Sequence, residues 1–208
     1  MNLYISDTHF GHKNVIKFDH RPFSCIEEMD EMIIHLWNGR VSDDDDVWFL
    51  GDFCHRSGRT PDWYLRRLKG RKHLIIGNHD TWVYGEKGEQ YRDYFETIDQ
   101  IARVDDVVRK NNEEEKVKIV LCHYPILEWW HKHHGVYHIY GHIHTDTGDT
   151  FRIISQFDHA LNAAAAINNY TPASLRELIE NNRRFQERVK HHDYENDRYS
   201  SQSIVRRV

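Results

Sequence analysis

The sequence predicts one α/β domain built on mixed sheets, and three observations carry that reading. Strand-like and helix-like patterns alternate through the first half of the chain, and strand-like runs cluster later. At 208 residues the chain can bury one sizeable core, whereas two full domains would be cramped. The domain is expected to span residues 1–190. The polar stretch 191–208 has weak periodicity and reads as a loosely packed tail.

The elements follow in order. "LYIS" is a short apolar run and reads as the first strand. "CIEEMDEMIIHLWNGR" repeats apolar residues at Ile26, Met29, Ile33, Leu36 and Trp37, a helical period, with Ser24 and Glu27 as a capping box at its start. The acidic turn "SDDDD" precedes a second strand, "VWFLG". "TPDWYLRRLKG" reads as a helix with Thr60 as N-cap, Pro61 at the first position and Gly70 at the end. "HLIIG" is a third strand, short and β-branched. Residues 81–116 read as a strand, a meander and a hairpin, with the "EEE" run as its solvated tip and "KVKIVLC" as the returning strand. "VYHIYGHIH" and "HALNAAAA" suggest two more strands. "TPASLRELIENNRRFQERVK" reads as a closing helix capped by Thr171 with Pro172 at its first position.

Composition narrows the class. Hydrophobic residues are 39% and charged residues 29%, ordinary for a soluble globular protein. Net charge is −5, so the surface as a whole does not attract nucleic acid; a long polymer is a disfavoured partner, though a locally positive cleft would allow one. The three cysteines show no CxxC spacing and read as reduced thiols. No run approaches the roughly 18 apolar residues of a membrane span. Cleavage of an N-terminal signal would remove Asp7 and His9, so a cytoplasmic protein is expected.

The informative pattern lies at the strand ends. Asp7, Asp52, Asn78, His123 and His142 each follow an apolar run and one small residue (Ser6, Gly51, Gly77, Cys122 or Gly141). Small residues let strand ends crowd together. In α/β sheets ligands bind outside the carboxyl ends of strands, so five polar groups delivered there read as one site. Asp7-Thr8-His9 and His142-Ile143-His144 each put two ligands on one side of an extended segment. Carboxylate, imidazole and amide donors without thiolate suit divalent metals, with Mn²⁺ favoured and Fe, Zn²⁺ or Ni²⁺ also compatible. Asp52 could bridge two ions. Two such ions against two carboxylates leave a local charge of roughly +2, which draws phosphate esters and lowers the pKa of a bound water. His79 adjoins a ligand and could protonate the departing alkoxide as general acid. Singly, D-x-H or G-N-H-D is a weak signal, and each is more often incidental; the assembled order is not.

That order, "SDTH", "GDFCH", "GNHD", "CHYP" and "GHIH", resembles the calcineurin-like metallophosphoesterase superfamily over residues 7 to 144. "YISDTHFGH" and "RPF" resemble small standalone phosphoesterases of bacteria and their viruses. The resemblance implies a four-layer α/β/β/α sandwich of two mixed sheets flanked by helices. It also implies one metal on Asp7, His9 and His144, another on Asn78, His123 and His142, Asp52 bridging, and His79 as catalytic histidine. His55 stands where phosphoprotein phosphatases place an aspartate; it could contact substrate or cap its loop. Arg56 matches, over a short stretch, an arginine that grips phosphate there. The expected activity is hydrolysis of a small phosphate ester, a diester above a monoester. The alternatives are a nuclease, with Trp82, Tyr84, Tyr124, Trp129 and Trp130 available either to stack bases or to pack the rim, and a non-catalytic scaffold.

Overall fold

The computed structural model describes residues 1–110 and 113–205. The elements are β1 (Asn2–Ile5), α1 (Val15–Phe18), α2 (Ile26–Arg40), β2 (Asp46–Phe49), α3 (Pro61–Leu65), β3 (Arg71–Ile75), α4 (Gly85–Arg92), β4 (Thr97–Asp99), β5 (Ile101–Lys110), β6 (Glu113–Cys122), β7 (Tyr137–Tyr140), α5 (Asp149–Ile154), β8 (Ala160–Asn162) and α6 (Leu175–Val205). Two four-stranded sheets result, ordered β1-β2-β3-β4 and β5-β6-β7-β8. The first is parallel throughout. The second is mixed, because the β5–β6 hairpin is antiparallel while β6-β7-β8 run parallel.

Alternation along the strands builds the layers, since successive side chains face opposite sides of a sheet. Leu3, Ile5, Val47 and Phe49 pack with Met29, Ile33 and Trp37 of α2 and with Tyr64 and Leu65 of α3. Tyr4 points the other way and meets Ile119, Leu121, Ile139 and Leu161 of the second sheet, with Leu175 and Leu178 of α6. Beyond that sheet, Val120 and Tyr140 pack against Trp129, Val136 and Ile154. Two sheets face each other across a core, and helices cover them, as expected of an α/β sandwich.

Several local expectations shift. Ser24 binds Glu28 rather than Glu27, because α2 starts at Ile26 with Cys25 as its N-cap. α3 begins at Pro61 behind Thr60 as expected but ends at Leu65, where i→i+3 bonds such as Arg67 N–H to Tyr64 O tighten the chain. The closing helix is capped by Ser174 and not Thr171: Ser174 N–H and Oγ both bond the Glu177 carboxylate, a capping box the earlier Thr-Pro pair obscured. That helix passes Lys190 and continues to Val205, through a stretch without Pro or Gly to stop it. Asn111, Asn112 and residues 206–208 lie outside the described residues. The Glu113–Glu115 run, expected as a solvated hairpin tip, is instead the start of β6, paired with the end of β5. Among the described residues no helix is long and apolar enough to cross a membrane.

Candidate metal centre

All five strand-end residues emerge at carboxyl ends: Asp7 after β1, Asp52 after β2, Asn78 after β3, His123 directly after β6 and His142 after β7. Asp7, His9, Asp52, His142 and His144 all adopt left-handed backbone angles, with φ between 48° and 70°. Such angles cost a non-glycine residue about 1–3 kcal/mol and gather at functional sites. Five in one place mark a surface shaped for binding.

The small residues do what the sequence suggested. Gly51 has φ of +85°, and a Cβ there would lie 2.5 Å from His123 Nδ1 and 2.7 Å from Gly77 Cα. A Cβ on Gly141 would stand 2.6 Å from Asp7 Oδ2. The ligating ends of both sheets can meet only because these positions carry no side chain.

The expected residues converge. His9 Nε2 lies 3.1 Å from His144 Nε2 and 3.6 Å from Asp52 Oδ2, and His144 Nε2 lies 3.5 Å from Asp7 Oδ1. On the other side, Asn78 Oδ1 is 3.1 Å from His123 Nε2 and 3.0 Å from His142 Nδ1. His123 Nε2 is 3.7 Å from the same Asp52 Oδ2. Asp52 Oδ1 accepts the His79 backbone N–H at 2.8 Å, which turns Oδ2 toward both clusters. Two groups of possible metal ligands thus share Asp52: Asp7, His9, Asp52 and His144, and Asp52, His123 and His142.

The donor chemistry fits a divalent ion. Leu50 O lies 2.7 Å from His123 Nδ1 and can only accept, so that nitrogen carries the hydrogen and Nε2 offers its lone pair to the site. Burial, aided by His144 and Arg21, holds His9 well below the usual imidazole range; burial and then His123 lower His142. Neutral imidazoles are the form that ligates. Burial also presses His144 down, but Asp19 and Asp7 outweigh it and raise it overall. The structure thus gathers a largely buried cluster of Asp and His side chains that could bind a metal ion.

Beside it stand three more imidazoles. The His55 and His79 ring centroids are 4.0 Å apart, and His12 is 4.7 Å from His55. Burial, then His55 and His79, holds His12 down at about 4. Arg56 is exposed, and its charge contributes to lowering both His12 and His55. Trp129 is buried with its indole N–H on Val136 O, so it cannot stack on a ligand. Trp130 is exposed but lines a separate cleft with Val117 and Tyr137.

Sequence reasoning missed the groups that brace these loops. Buried Arg21 donates to Asp7 O at 2.7 Å and Thr8 O at 2.8 Å, and pairs with Asp19 at 2.9 Å. Asp19 Oδ2 lies 3.2 Å from His144 Nδ1. Fully buried Asp80 accepts backbone N–H groups of Asp52, Phe53 and Gly77 at 2.7, 2.9 and 2.9 Å, tying together the loops of Asp52 and Asn78. Its place in "GNHD" was the available signal.

No family model matches the chain. It is 34% identical over 173 residues to the uncharacterized protein MJ1445 of Methanocaldococcus jannaschii, covering 82% of this chain and 85% of that one. Among solved structures it is similar to the protein of unknown function AQ665 from Aquifex aeolicus, with 25% identity and TM-score 0.59, covering 86% of this chain and 98% of that one. It is also similar, at 19% identity and TM-score 0.32 over 60% of this chain and 42% of that one, to the phosphopantetheinyl hydrolase PptH of Mycobacterium tuberculosis, a likeness too slight to argue from.

Proposed function

The chain belongs to the same family as the uncharacterized protein MJ1445 of Methanocaldococcus jannaschii, and on the strength of the site we propose that it is a binuclear metal-dependent phosphodiesterase of the calcineurin-like kind acting on small substrates. One observation carries the reading: a single carboxylate oxygen, Asp52 Oδ2, faces His9 on one side and His123 on the other at 3.6 and 3.7 Å. Asp7, His9 and His144 would hold one ion, Asn78, His123 and His142 the second, and Asp52 both. Bound there, divalent ions supply charge against the phosphoryl oxygens and acidify the attacking water.

The chain's own groups divide the remaining work. The His79 backbone is fixed by its bond to Asp52, and its ring stands 5.4 Å from that of His9, beside the ligands proposed above. From there it delivers a proton to the departing oxygen. His55 packs against that ring and limits its orientations, and Arg56 adds positive charge at the rim. Ser6 Oγ and the His142 backbone N–H hold the Asp7 carboxylate at 2.6 and 3.1 Å. A small substrate is favoured because the net charge is −5 and no long basic run is present to displace counterions from a polymer.

The test compares a generic small diester and cyclic nucleotides with single- and double-stranded DNA and RNA, at equal phosphate concentration, with Mn²⁺ restored after chelation. Turnover of small diesters, above that of monoesters, is expected. Processive degradation of polymer with little turnover of small diesters would replace this reading with a nuclease.

A further inference from the structure

One cleft besides the ligand set reaches the metal centre. It measures about 840 Å³ and is lined by His142 and His144, but by none of His12, His55 and His79. It adjoins the imidazole trio only through Phe18, whose ring lies 5.6 Å from that of His12. Two exposed aromatic rings line it beside the site histidines. Phe18 is 58% exposed, with its ring 6.2 Å from that of His144; Tyr124 is 46% exposed, with its ring 4.7 Å from that of His142. Aromatic surface left open at a polar site is surface kept for a flat partner. Asp19, His20, Thr145, Asp146, Thr147 and Thr150 make the rest of its polar side, and no Lys or Arg is among the described lining residues.

We propose that this cleft holds the ester arm that stays on phosphorus, and that the arm is a nucleoside bearing no further phosphate. The proposal rests on the phosphodiesterase reading above. A phosphomonoester has no second arm and would leave the cleft empty. A base can stack on Phe18 or Tyr124, while sugar hydroxyls suit the threonines and the Asp146 carboxylate. An additional phosphate on the arm, away from the metal ligands, would meet the Asp146 carboxylate with no Lys or Arg in the lining to pair it. In the reaction, water oxygen forms the new P–O bond and the bond to the leaving oxygen breaks. The water's proton is released, His79 protonates the departing oxygen, and the products are a nucleoside monophosphate and an alcohol.

The test uses three chromogenic diesters that share the 4-nitrophenolate leaving group and differ only in the retained arm: methyl, phenyl and thymidine-5′. With the Mn²⁺-loaded full chain, kcat/KM is expected to rise from methyl to phenyl to thymidine. Phe18→Ala and Tyr124→Ala should each cut the thymidine-to-methyl ratio about tenfold, mainly through KM, within the range known for base–aromatic stacking. Trp130→Ala, in the separate cleft, should leave the ratio as it is. Phenyl and thymidine diesters turned over equally would overturn the nucleoside assignment. So would a ratio unmoved in the Phe18→Ala/Tyr124→Ala double variant. No turnover of any of the three by metal-loaded protein would instead overturn the phosphodiesterase reading, and the proposal with it.

Discussion

His138 offers a stability prediction that can be worked through in numbers. It is fully buried in β7, the strand that leads to His142. Its Nδ1 lies 3.2 Å from Val120 O, and its Nε2 accepts the Ile126 N–H at 3.0 Å, pinning the loop that follows His123. A proton on Nε2 would abolish that acceptor, and burial holds the ring down at about 4. The unfolded chain takes up this proton near 6.5, so the native state binds fewer protons between about 6.5 and 4. Stability from this group is present above that window and is lost as pH falls through it. The full shift amounts to about 3 kcal/mol, of which about 2 kcal/mol is lost between about pH 7.5 and pH 5. His138→Gln keeps a donor for Val120 O and an acceptor for Ile126 N–H but does not titrate. Urea midpoints of both proteins at those two pH values, with chelator present throughout, isolate the term. The wild type should lose about 2 kcal/mol more than the variant. Parallel losses would mean that His138 does not set this pH dependence.

Other expectations follow from the site. Arg21→Lys replaces a fork that grips two carbonyls and Asp19 with a point charge, and should weaken metal affinity about 10–100-fold by isothermal titration while the fold persists. His79→Asn should bind as much metal as the wild type yet lose about 10²–10⁴ in kcat, most with poor leaving groups; collapse of metal occupancy would make His79 a ligand. Gly51→Ala forces a Cβ onto His123 at a left-handed φ and should cost about 3 kcal/mol or more in urea denaturation. Gly58→Ala, with nothing within 4 Å, should change stability by less than about 0.5 kcal/mol.

Five candidate ligands were legible because each sits where an apolar run stops, and the glycines before Asp52, Asn78 and His142 leave no room for a side chain. The sheets were legible for the same reason. α4 was missed: "GEKGEQYR" buries only Gly88 and Tyr91 and shows no apolar stripe, so only tertiary contact makes it helical. Arg21 and Asp80 were missed because they act on backbone groups, Arg21 on carbonyls 13 and 14 residues back, and Asp80 on N–H groups up to 28 residues away. Such bonds leave no periodic trace. Between the two roles left open for the aromatics, burial and not residue type decides: Trp129 packs the core, and Tyr124 stands open beside His142.

If the Asp and His cluster around Asp52 holds two catalytic ions, as proposed, metal and activity must be gained together. The purified chain is stripped with chelator, titrated with Mn²⁺ under isothermal calorimetry, and assayed at each point on a small diester, beside Asp52→Ala. Two ions per chain are expected, with activity rising as both sites fill, and loss of both in Asp52→Ala. Full hydrolysis by the stripped protein, or two ions bound as well in Asp52→Ala as in the wild type, would contradict the two-ion proposal.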